Sequence, residues 1–502
     1  MGEVVTDTTL FSMPIGQFEG CDIAIISAEN TNILIRASNK SEPRPISITL
    51  KESIFNSYIV GELELDVPNG FLESGKSRIT SQDILILDIK TPVSLVNPGE
   101  QGEDDFVSGV NLKGAFFINS VTKVSSTEKT TKMNLKFMTF EGLKDTTTTV
   151  VKSYNKMKRS EIVKSIYTDY IEHDRGAKLS SLLFTNTEHD DFCCVFPNWS
   201  PSKCINWLIA GSVDSNEPRC TNFFFFQRFN KDGEVESVFA SLNDMAKGKP
   251  VLGGYQEEKL GYEHGYIVDI LNDEVDPRKE NHRIRRTILN ANFRIPDMNT
   301  TKYNRYGTWG GTLYFYDQTR KKYFEKKYNY KKDELGDGLE GPVNDVLPGA
   351  GPFIDKNTKK FIEEEYEGLP DTLGSPNSFK AFSPKHKFLF HSKESDEGVD
   401  RKEQWLDTTL TQRNLNIYAP IDIEIIGDSN RRVGECVTFA DMQIQNLSND
   451  SPSDTKLDND NKSLGGKYLI TDVTHTFTFA TKTEQQYFGT KLKMIRDGAP
   501  DG

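Results

Sequence analysis

Gly114-Ala-Phe-Phe-Ile118-Asn-Ser-Val121-Thr122-Lys123 and Gly466-Lys-Tyr-Leu-Ile470-Thr-Asp-Val473-Thr474-His475 carry one strand signature twice, with Gly, Ile, Val and Thr in identical slots. Each stretch runs through a polar, Thr/Lys-rich turn into a second alternating strand, Met133-Asn-Leu135-Lys-Phe137-Met138 in the first and Lys491-Leu492-Lys-Met494-Ile495 in the second. Each also follows an apolar strand ending in Asp. Asp88 lies 26 positions before Gly114, and Asp441 lies 25 positions before Gly466. Self-similarity at this distance marks a duplicated β unit, and a unit duplicated within one chain implies a pseudo-symmetric assembly.

Outward from these hairpins the pattern stays β. Asp22-Ile-Ala-Ile-Ile26, Asn32-Ile-Leu-Ile-Arg36, Ile46-Ser-Ile48-Thr-Leu50, Gly61-Glu-Leu63-Glu-Leu65-Asp-Val67 and Ile84-Leu-Ile-Leu-Asp-Ile89 read as strands, several with the strict alternation of a half-buried sheet. Pro68-Asn69-Gly70 stops one of them, and Gly99 to Asp105 reads as an acidic loop. Six or seven such strands predict a small antiparallel barrel or sandwich. The period then turns helical. Ile162, Val163, Ile166, Tyr167, Tyr170 and Ile171 form one stripe capped by Ser160, and a second helix opens at Ser200-Pro201. It leads into a Phe-rich hairpin, Asn222 to Phe229 and Val235 to Phe239, turning at Asn230 to Gly233. An extended strand and a charged linker with Pro277 precede a further strand near Ile288. An aromatic hairpin, Leu313 to Phe324, is followed by a Gly/Pro-rich tract from Gly336 to Pro352, which predicts an irregular insertion. The β pattern resumes at Leu415-Asn-Ile417, Ile421-Asp-Ile423-Glu-Ile425 and Glu435 to Phe439; Asn446 to Asn461 is a polar loop, and the second hairpin ends the fold.

The 502 residues suffice for three or four domains. A net charge of -13 argues against a dedicated nucleic-acid binder, which needs clustered Lys and Arg. No run reaches the length of a membrane span, and the first twenty residues lack a signal-peptide pattern, so the expectation is a soluble protein without membrane insertion. Six cysteines without regular spacing read as reduced and mostly buried.

No GxSxG elbow, phosphate loop, HExxH or GxGxxG motif occurs. Catalytic, cofactor and metal residues are therefore each expected to be none, and the protein is read as no enzyme. His189 and Cys193 sit four apart, but without a CxxC or a second His at ligand spacing they read as an ordinary strand. His475 is matched by Lys123 in the other copy, which suits a structural or interface histidine better than a catalytic one. Arg283-Ile-Arg285-Arg286, beside His282 and Arg294, could meet phosphate, yet the alternating Ile284 and Ile288 suggest a strand that pairs ions with a neighbouring subunit. The Tyr-rich hairpin could be a carbohydrate platform, but more often such a hairpin is an interface or core element. Paired carboxylates could serve glycoside hydrolysis, but 74 acidic residues make pairs abundant by chance.

Together, Gly466-Lys-Tyr468-Leu469-Ile470-Thr-Asp-Val473-Thr-His475 with Leu492-Lys-Met494, and upstream Pro197-Asn-Trp199-Ser-Pro-Ser-Lys-Cys-Ile205-Asn-Trp207-Leu208 before the Phe-rich hairpin, resemble the central baseplate hub proteins of contractile-tailed bacteriophages, relatives of the base of type VI secretion spikes. The resemblance covers most of 40 to 270 and 405 to 495; the segment from about 300 to 405 has no counterpart. It implies a mainly β, α+β fold with two similar antiparallel β-barrel tube domains flanking a small α/β domain, plus an irregular insertion. The expected divisions are an arm at 1-20, a first tube domain at 21-147, the α/β domain at 148-255, a second tube domain from 256-300 and 405-497, and the insertion at 301-404.

The resemblance further implies a virion protein, assembled in the host cytoplasm as a homotrimer. Its two tube domains per chain would mimic a six-fold ring with Val121 and Val473 in equivalent places, relaxing toward three-fold at Lys123 and His475. Such a ring would join a central spike protein to the tail tube or tube-initiator proteins among surrounding baseplate proteins. It would also let DNA pass without specific binding, aided by a negatively lined channel. A piercing spike or wall hydrolase would be a separate chain, since no lysozyme-like or OB-like stretch follows residue 495. The rival readings are a tail-associated cell-wall hydrolase and a carbohydrate-binding host-recognition module.

Overall fold

The structure is a computed structural model that describes most of residues 18–247, short strands between 262 and 385, and residues 421–440, 466–480 and 486–495. It is mainly β, built around a curled antiparallel half-barrel sheet. The first part supplies β1 (Gly20–Ile26), β2 (Asn32–Ile35), β3 (Arg44–Ser53), β4 (Val60–Pro68), β5 (Ile84–Lys90), β6 (Ser94–Pro98), β7 (Asp104–Val107), β8 (Leu112–Ser126) and β9 (Thr130–Thr139). Next come α1 (Phe140–Thr147), β10 (Val150–Met157), α2 (Arg159–Ile166) with a π turn at Tyr167–Ile171, β11 (Lys178–Phe184), β12 (Phe192–Trp199), α3 (Pro201–Ile209), β13 (Phe223–Phe229), β14 (Val235–Ser241) and α4 (Leu242–Lys247). The remainder gives β15 (Tyr262–Glu263), β16 (Ile288–Phe293), β17 (Gly310–Asp317), β18 (Lys322–Asn329), β19 (Lys380–Lys385), β20 (Ile421–Ile426), β21 (Cys436–Ala440), β22 (Gly466–Thr478) and β23 (Tyr487–Ile495).

The two repeated hairpins, β8/β9 and β22/β23, lie in one sheet ordered β16-β20-β23-β22-β3-β4-β9-β8-β5-β1-β2, with β21 on β22 and β15 on β21. Their pairings match residue for residue as far as Lys123 and His475, beyond which β8 carries a further bulge that β22 lacks. Val121 faces Leu135 and Val473 faces Leu492, while Ile118 faces Phe137 and Ile470 faces Met494. Both hairpins bulge one residue after that Ile, at Asn119 and Thr471. The equivalence runs two strands further. Leu63 of β4 faces Leu135 as Ile423 of β20 faces Leu492. Ile48 of β3 then faces Leu63 as Ala291 of β16 faces Ile423, each with a second bulge, between Pro45 and Ser47 and between Ile288 and Asn290. On the other side, Ile118 N–H donates to Asp83 O and Ile470 N–H donates to Glu435 O. Five strands with two shared bulges are thus repeated, more than the hairpin that the sequence advertises.

Pairing also corrects the strand that precedes each hairpin. Gly114 faces Leu87 and Gly466 faces Phe439, so Ala440, not Asp441, stands where Asp88 does. Three further expectations change. The acidic loop is flanked by the short ribbon β6/β7: β6 ends just before it at Pro98, and β7 begins within it at Asp104. Helix α1 went unread because its eight residues include Gly142 and two threonines. Ser160 does not cap α2: Lys158 holds the cap position, Glu161 accepts its N–H at 3.2 Å, and the buried Ser160 instead exchanges hydrogen bonds with Thr187. Helix α3 does open at Ser200-Pro201, but the cap is supplied from α1, where Asp145 accepts both Ser202 N–H and Ser202 O–H at 2.6 Å. The aromatic hairpin forms as β17/β18, joined by β19 in parallel. The Gly/Pro tract, the strand at Leu415 and the loop at 446 to 461 lie outside the described residues.

Three apolar clusters hold this together. The first spans β1 to β9 yet admits Phe477, Phe479 and Phe488 from the second unit; the second gathers β20 to β23 with Phe226 and Val238; the third packs α2 and α3 on the Phe-rich hairpin. Phe18 of the N-terminal arm sits edge-on to Phe477 and Phe479 at 5.5 and 5.2 Å. The two units also fill one slot differently: Gly61 lies under the ring of Phe137, where the second unit sets Ile421 against Met494. A Cβ on Gly61 would enter the Phe137 ring and approach Thr49 O to 2.7 Å. Gly61→Ala should therefore cost about 1–3 kcal/mol in denaturant unfolding. Adding Phe137→Met, which copies the second unit, should recover part of that loss; no recovery would break the equivalence.

Candidate functional site: a charged sheet face over a buried joint

Because strands alternate, one face of the joined sheet is apolar and the other carries its charges. On that polar face the two units repeat a pattern. Glu62, Glu64 and Asp66 of β4 stand opposite Lys136, Asn134 and Lys132 of β9, and Asp422 and Glu424 of β20 stand opposite Lys493 and Lys491 of β23. A row of carboxylates thus runs beside a row of lysines in both units. Lys491 reaches Glu424 at 3.5 Å, and Lys51 reaches Glu62 at 3.9 Å. These exposed pairs contribute little stability, but each cation has a neighbouring anion. The described face is charge-balanced, not negative. The chain's acidic excess is not concentrated on these strands.

Beneath this face lies the joint between units. The outer half of β22 pairs with β3 from Asp472↔Ser53 through His475↔Leu50 to Thr478↔Ser47. His475 is 1% exposed and Glu52 2%. His475 Nδ1 lies 3.0 Å from Thr490 Oγ1, which accepts the Asp428 N–H at 3.0 Å. Its Nε2 stops 4.0 Å from Glu52 Oε1, beyond hydrogen-bond reach. Glu52 Oε2 accepts Phe229 N–H at 3.3 Å, and so ties β3 to the Phe-rich strand β13. The next residue on that strand, Arg228, donates Nε to Glu236 at 2.8 Å and Nη1 to Val433 O at 3.3 Å, and it lies 3.8 Å from Glu435. Arg432 Nη1 donates to the same Glu435 oxygen at 3.3 Å. The first unit, the second unit and the segment between them therefore meet at one buried charged cluster.

Burial sets the charge states. Desolvation pushes Glu52 up to about 8 against the pull of the Phe229 amide, Arg228 and Arg432, and desolvation alone pushes His475 down to about 3. Around neutrality the two face each other as a carboxylic acid and a neutral imidazole, not as an ion pair. Desolvation also raises Glu435, opposed by Arg432 and Arg228. This pair is sealed from solvent, so it is suited to registering strands, not to meeting a substrate. A second buried polar bolt fixes the middle segment: Gln227 Oε1 accepts Thr139 O–H at 2.7 Å and Ile59 N–H at 3.3 Å, while its Nε2 donates to Glu141 at 3.1 Å. Glu141 also lines a cleft of about 600 Å³ with Asp174, Glu234, Lys113 and Lys178.

The residues singled out in the sequence are dispersed. Cys193 donates its thiol to Asn155 Oδ1 at 2.9 Å on β12, whereas His189 and the Arg283–Arg286 cluster lie outside the described residues. Among the described residues no three His, Cys, Asp or Glu side chains gather as a metal group. Sequence reading found His475 but missed Glu52, Arg228, Arg432 and Glu435. Glu52 breaks the alternation of β3, being a charge at an inward position, and that irregularity was its only signal.

The sign of the Glu52 effect is fixed. Its folded value is raised, so its contribution is full below the unfolded value of 4.5 and is lost as pH climbs to about 8. His475 works oppositely, losing its contribution as pH falls from 6.5 toward 3. The two slopes cancel between 4.5 and 6.5, which leaves a net loss on the alkaline side. Glu52→Gln removes the first slope, so its stability relative to the native chain should rise by about 1.4 kcal/mol per pH unit across that window. Denaturant unfolding at several pH values checks this, and parallel native and variant profiles would contradict it.

No family model matches the chain, and no curated protein matches it. Among solved structures it is similar to the 43 kDa tail protein of prophage MuSo2 from Shewanella oneidensis, at 8% identity over 95% of this chain and 100% of that one, with a TM-score of 0.43. It is also similar to the tail protein from Neisseria meningitidis, at 8% identity over 96% of this chain and 98% of that one, with a TM-score of 0.46. A third is an E. coli component of the type VI secretion system, at 9% identity over 93% of this chain and 78% of that one, with a TM-score of 0.38. The solved structures that the chain is similar to are phage tail proteins and type VI spike-related proteins, the class that the sequence resemblance names.

Proposed function

We propose that this chain is the structural hub of a contractile phage tail baseplate, a non-enzymatic homotrimer whose three copies supply six similar β units to one ring. The observation that carries the reading is the duplication: two five-strand units with the same order and two shared bulges, fused side by side in one curled sheet. A chain that carries two near-equivalent units can meet six-fold neighbours on one side and three-fold neighbours on the other. In this reading the tube-like domains are 21-147 and 256-300 with 405-497. The α/β domain 148-255 braces them, and the insertion 301-404 lies outside the ring. The ring joins a central spike protein to tail tube proteins, and the polar face lines the channel for DNA ejection.

The expectation about the lining changes in this reading. A negative wall would repel DNA, whereas a wall of lysines each beside a carboxylate gives phosphates no unopposed cation to bind. Passage without adhesion then comes from local neutralisation.

Two measurements test this. Native mass should be three times 56.8 kDa, with rings in negative-stain images; a monomer at every concentration would end the hub reading. Glu62→Gln with Glu64→Gln and Glu424→Gln leaves Lys136 and Lys491 unopposed. That variant should gain salt-sensitive affinity for double-stranded DNA of at least about tenfold at low salt over a non-binding native protein, measured by fluorescence anisotropy. Equal binding by both would remove the lining argument.

A further inference from the structure

Half of the Glu141 carboxylate is unused by the fold. Glu141 is 0% exposed and its Oε2 accepts Gln227 Nε2 at 3.1 Å, but its Oε1 has no hydrogen-bond partner. An acceptor buried without a donor is costly, most of all when it is charged. Desolvation pushes the Glu141 pKa up against the pull of its own amide, Gln227, the Ala177 amide and Lys144. The Ala177 amide is thus close enough to be felt, yet it completes no hydrogen bond to Oε1. Oε1 is set against Gly176, where a Cβ would collide with it. Gly176 does not have a positive φ, so its lack of a side chain supplies room and not a turn.

Both residues line the cleft of about 600 Å³, which lies between the start of β8, the segment leading into β11 and the turn of the β13/β14 hairpin. Its charges do not balance. Glu236 is taken by Arg228 at 2.8 Å, and Lys113 lies 4.0 Å from Asp88. That leaves Glu141, Asp174 and Glu234 against Lys178, with Asp174 and Glu234 exposed at the rim. Among the described residues these acids do not gather closely enough to hold a metal ion. Acceptors spread over a cleft suit a flat cation with donors on several sides, and guanidinium carries five N–H groups in one plane. A compact ammonium offers no such span.

We propose that this cleft binds a guanidinium group, which donates to Glu141 Oε1 at the floor and to Asp174 and Glu234 at the rim. An arginine in a segment of a partner protein and a free arginine-like small molecule present the same chemistry. The site does not rest on the hub reading, since nothing in it requires a ring. A carboxylate held in the interior with an unmet acceptor lowers the stability of the free chain, and a bound cation offsets that loss.

N-acetyl-arginine methylamide should bind the native chain saturably in isothermal titration at physiological salt, and its uncharged isostere N-acetyl-citrulline methylamide should not. Glu141→Gln keeps an acceptor for Gln227 and removes the charge, so it should lower the affinity at least about tenfold with no loss of stability in denaturant unfolding. Asp174→Asn with Glu234→Gln, both at the exposed rim, should lower it about threefold. Glu128→Gln, on the exposed turn between β8 and β9, removes one negative charge as Glu141→Gln does and should leave binding unchanged. A pentapeptide with one central arginine among glycines separates the sources: its binding assigns the cleft to a partner's arginine, and its exclusion while the single residue binds assigns it to a free small molecule. Absence of saturable binding by either arginine probe, equal binding of the citrulline probe, or an affinity that Glu141→Gln leaves intact would each overturn the site. A water molecule that alone satisfies Oε1 would give the first of these results.

Discussion

The ladder between Asp472–Thr478 and Ser47–Ser53 is the constraint on which the remaining architecture depends. It joins segments more than four hundred residues apart, so its closure entropy is met only once both units have assembled. Without it the molecule would be two separate sheets, each with long open edges. With it, one curled surface carries matched charges on one side and places Phe477 and Phe488 inside the first unit's core.

That joint is guarded by charges that burial makes expensive. Glu52, Glu435, Arg228 and Arg432 could be replaced by apolar groups with little loss or even a gain in stability, since desolvation offsets most of their attraction. What they add is register. A one-residue slip of β22 against β3 would turn His475 away from the buried face on which Glu52 receives the Phe229 N–H. The cluster draws Glu52 from the first unit, Arg228 from the middle segment and Arg432 with Glu435 from the second, so the same residues that fix the strand alignment also tie the three parts together.

Much of this was legible in the sequence because strands write their period plainly. Ile48, Leu50, Leu63 and Leu65 alternate with polar residues, and the Gly, Ile, Val, Thr slots gave the hairpin equivalence. The further equivalences were hidden by divergence in side-chain volume: Gly61 with Phe137 answers Ile421 with Met494, and no residue-by-residue comparison aligns those pairs. The charged face was half visible. Total charge said acidic, but opposition of Glu62 to Lys136 is a property of pairing, and pairing across seventy residues is not written in composition. The buried cluster was least visible, because Glu52 and Arg228 are recognisable as inward charges only when the faces of β3 and β13 are known.

Lys123 and His475 show how duplication and divergence divide the work. Equivalent positions on equivalent strands meet different surroundings: His475 is enclosed by a strand of its own chain, whereas Lys123 faces water. Burying an imidazole costs only its charge, which at neutral pH it readily gives up; burying an ammonium costs far more. Exchange of these two residues would place a cation in the sealed joint and a neutral ring on an open edge. The asymmetry between the copies therefore follows from solvent exposure: a strand of the same chain closes over His475, and none of the described strands closes over Lys123.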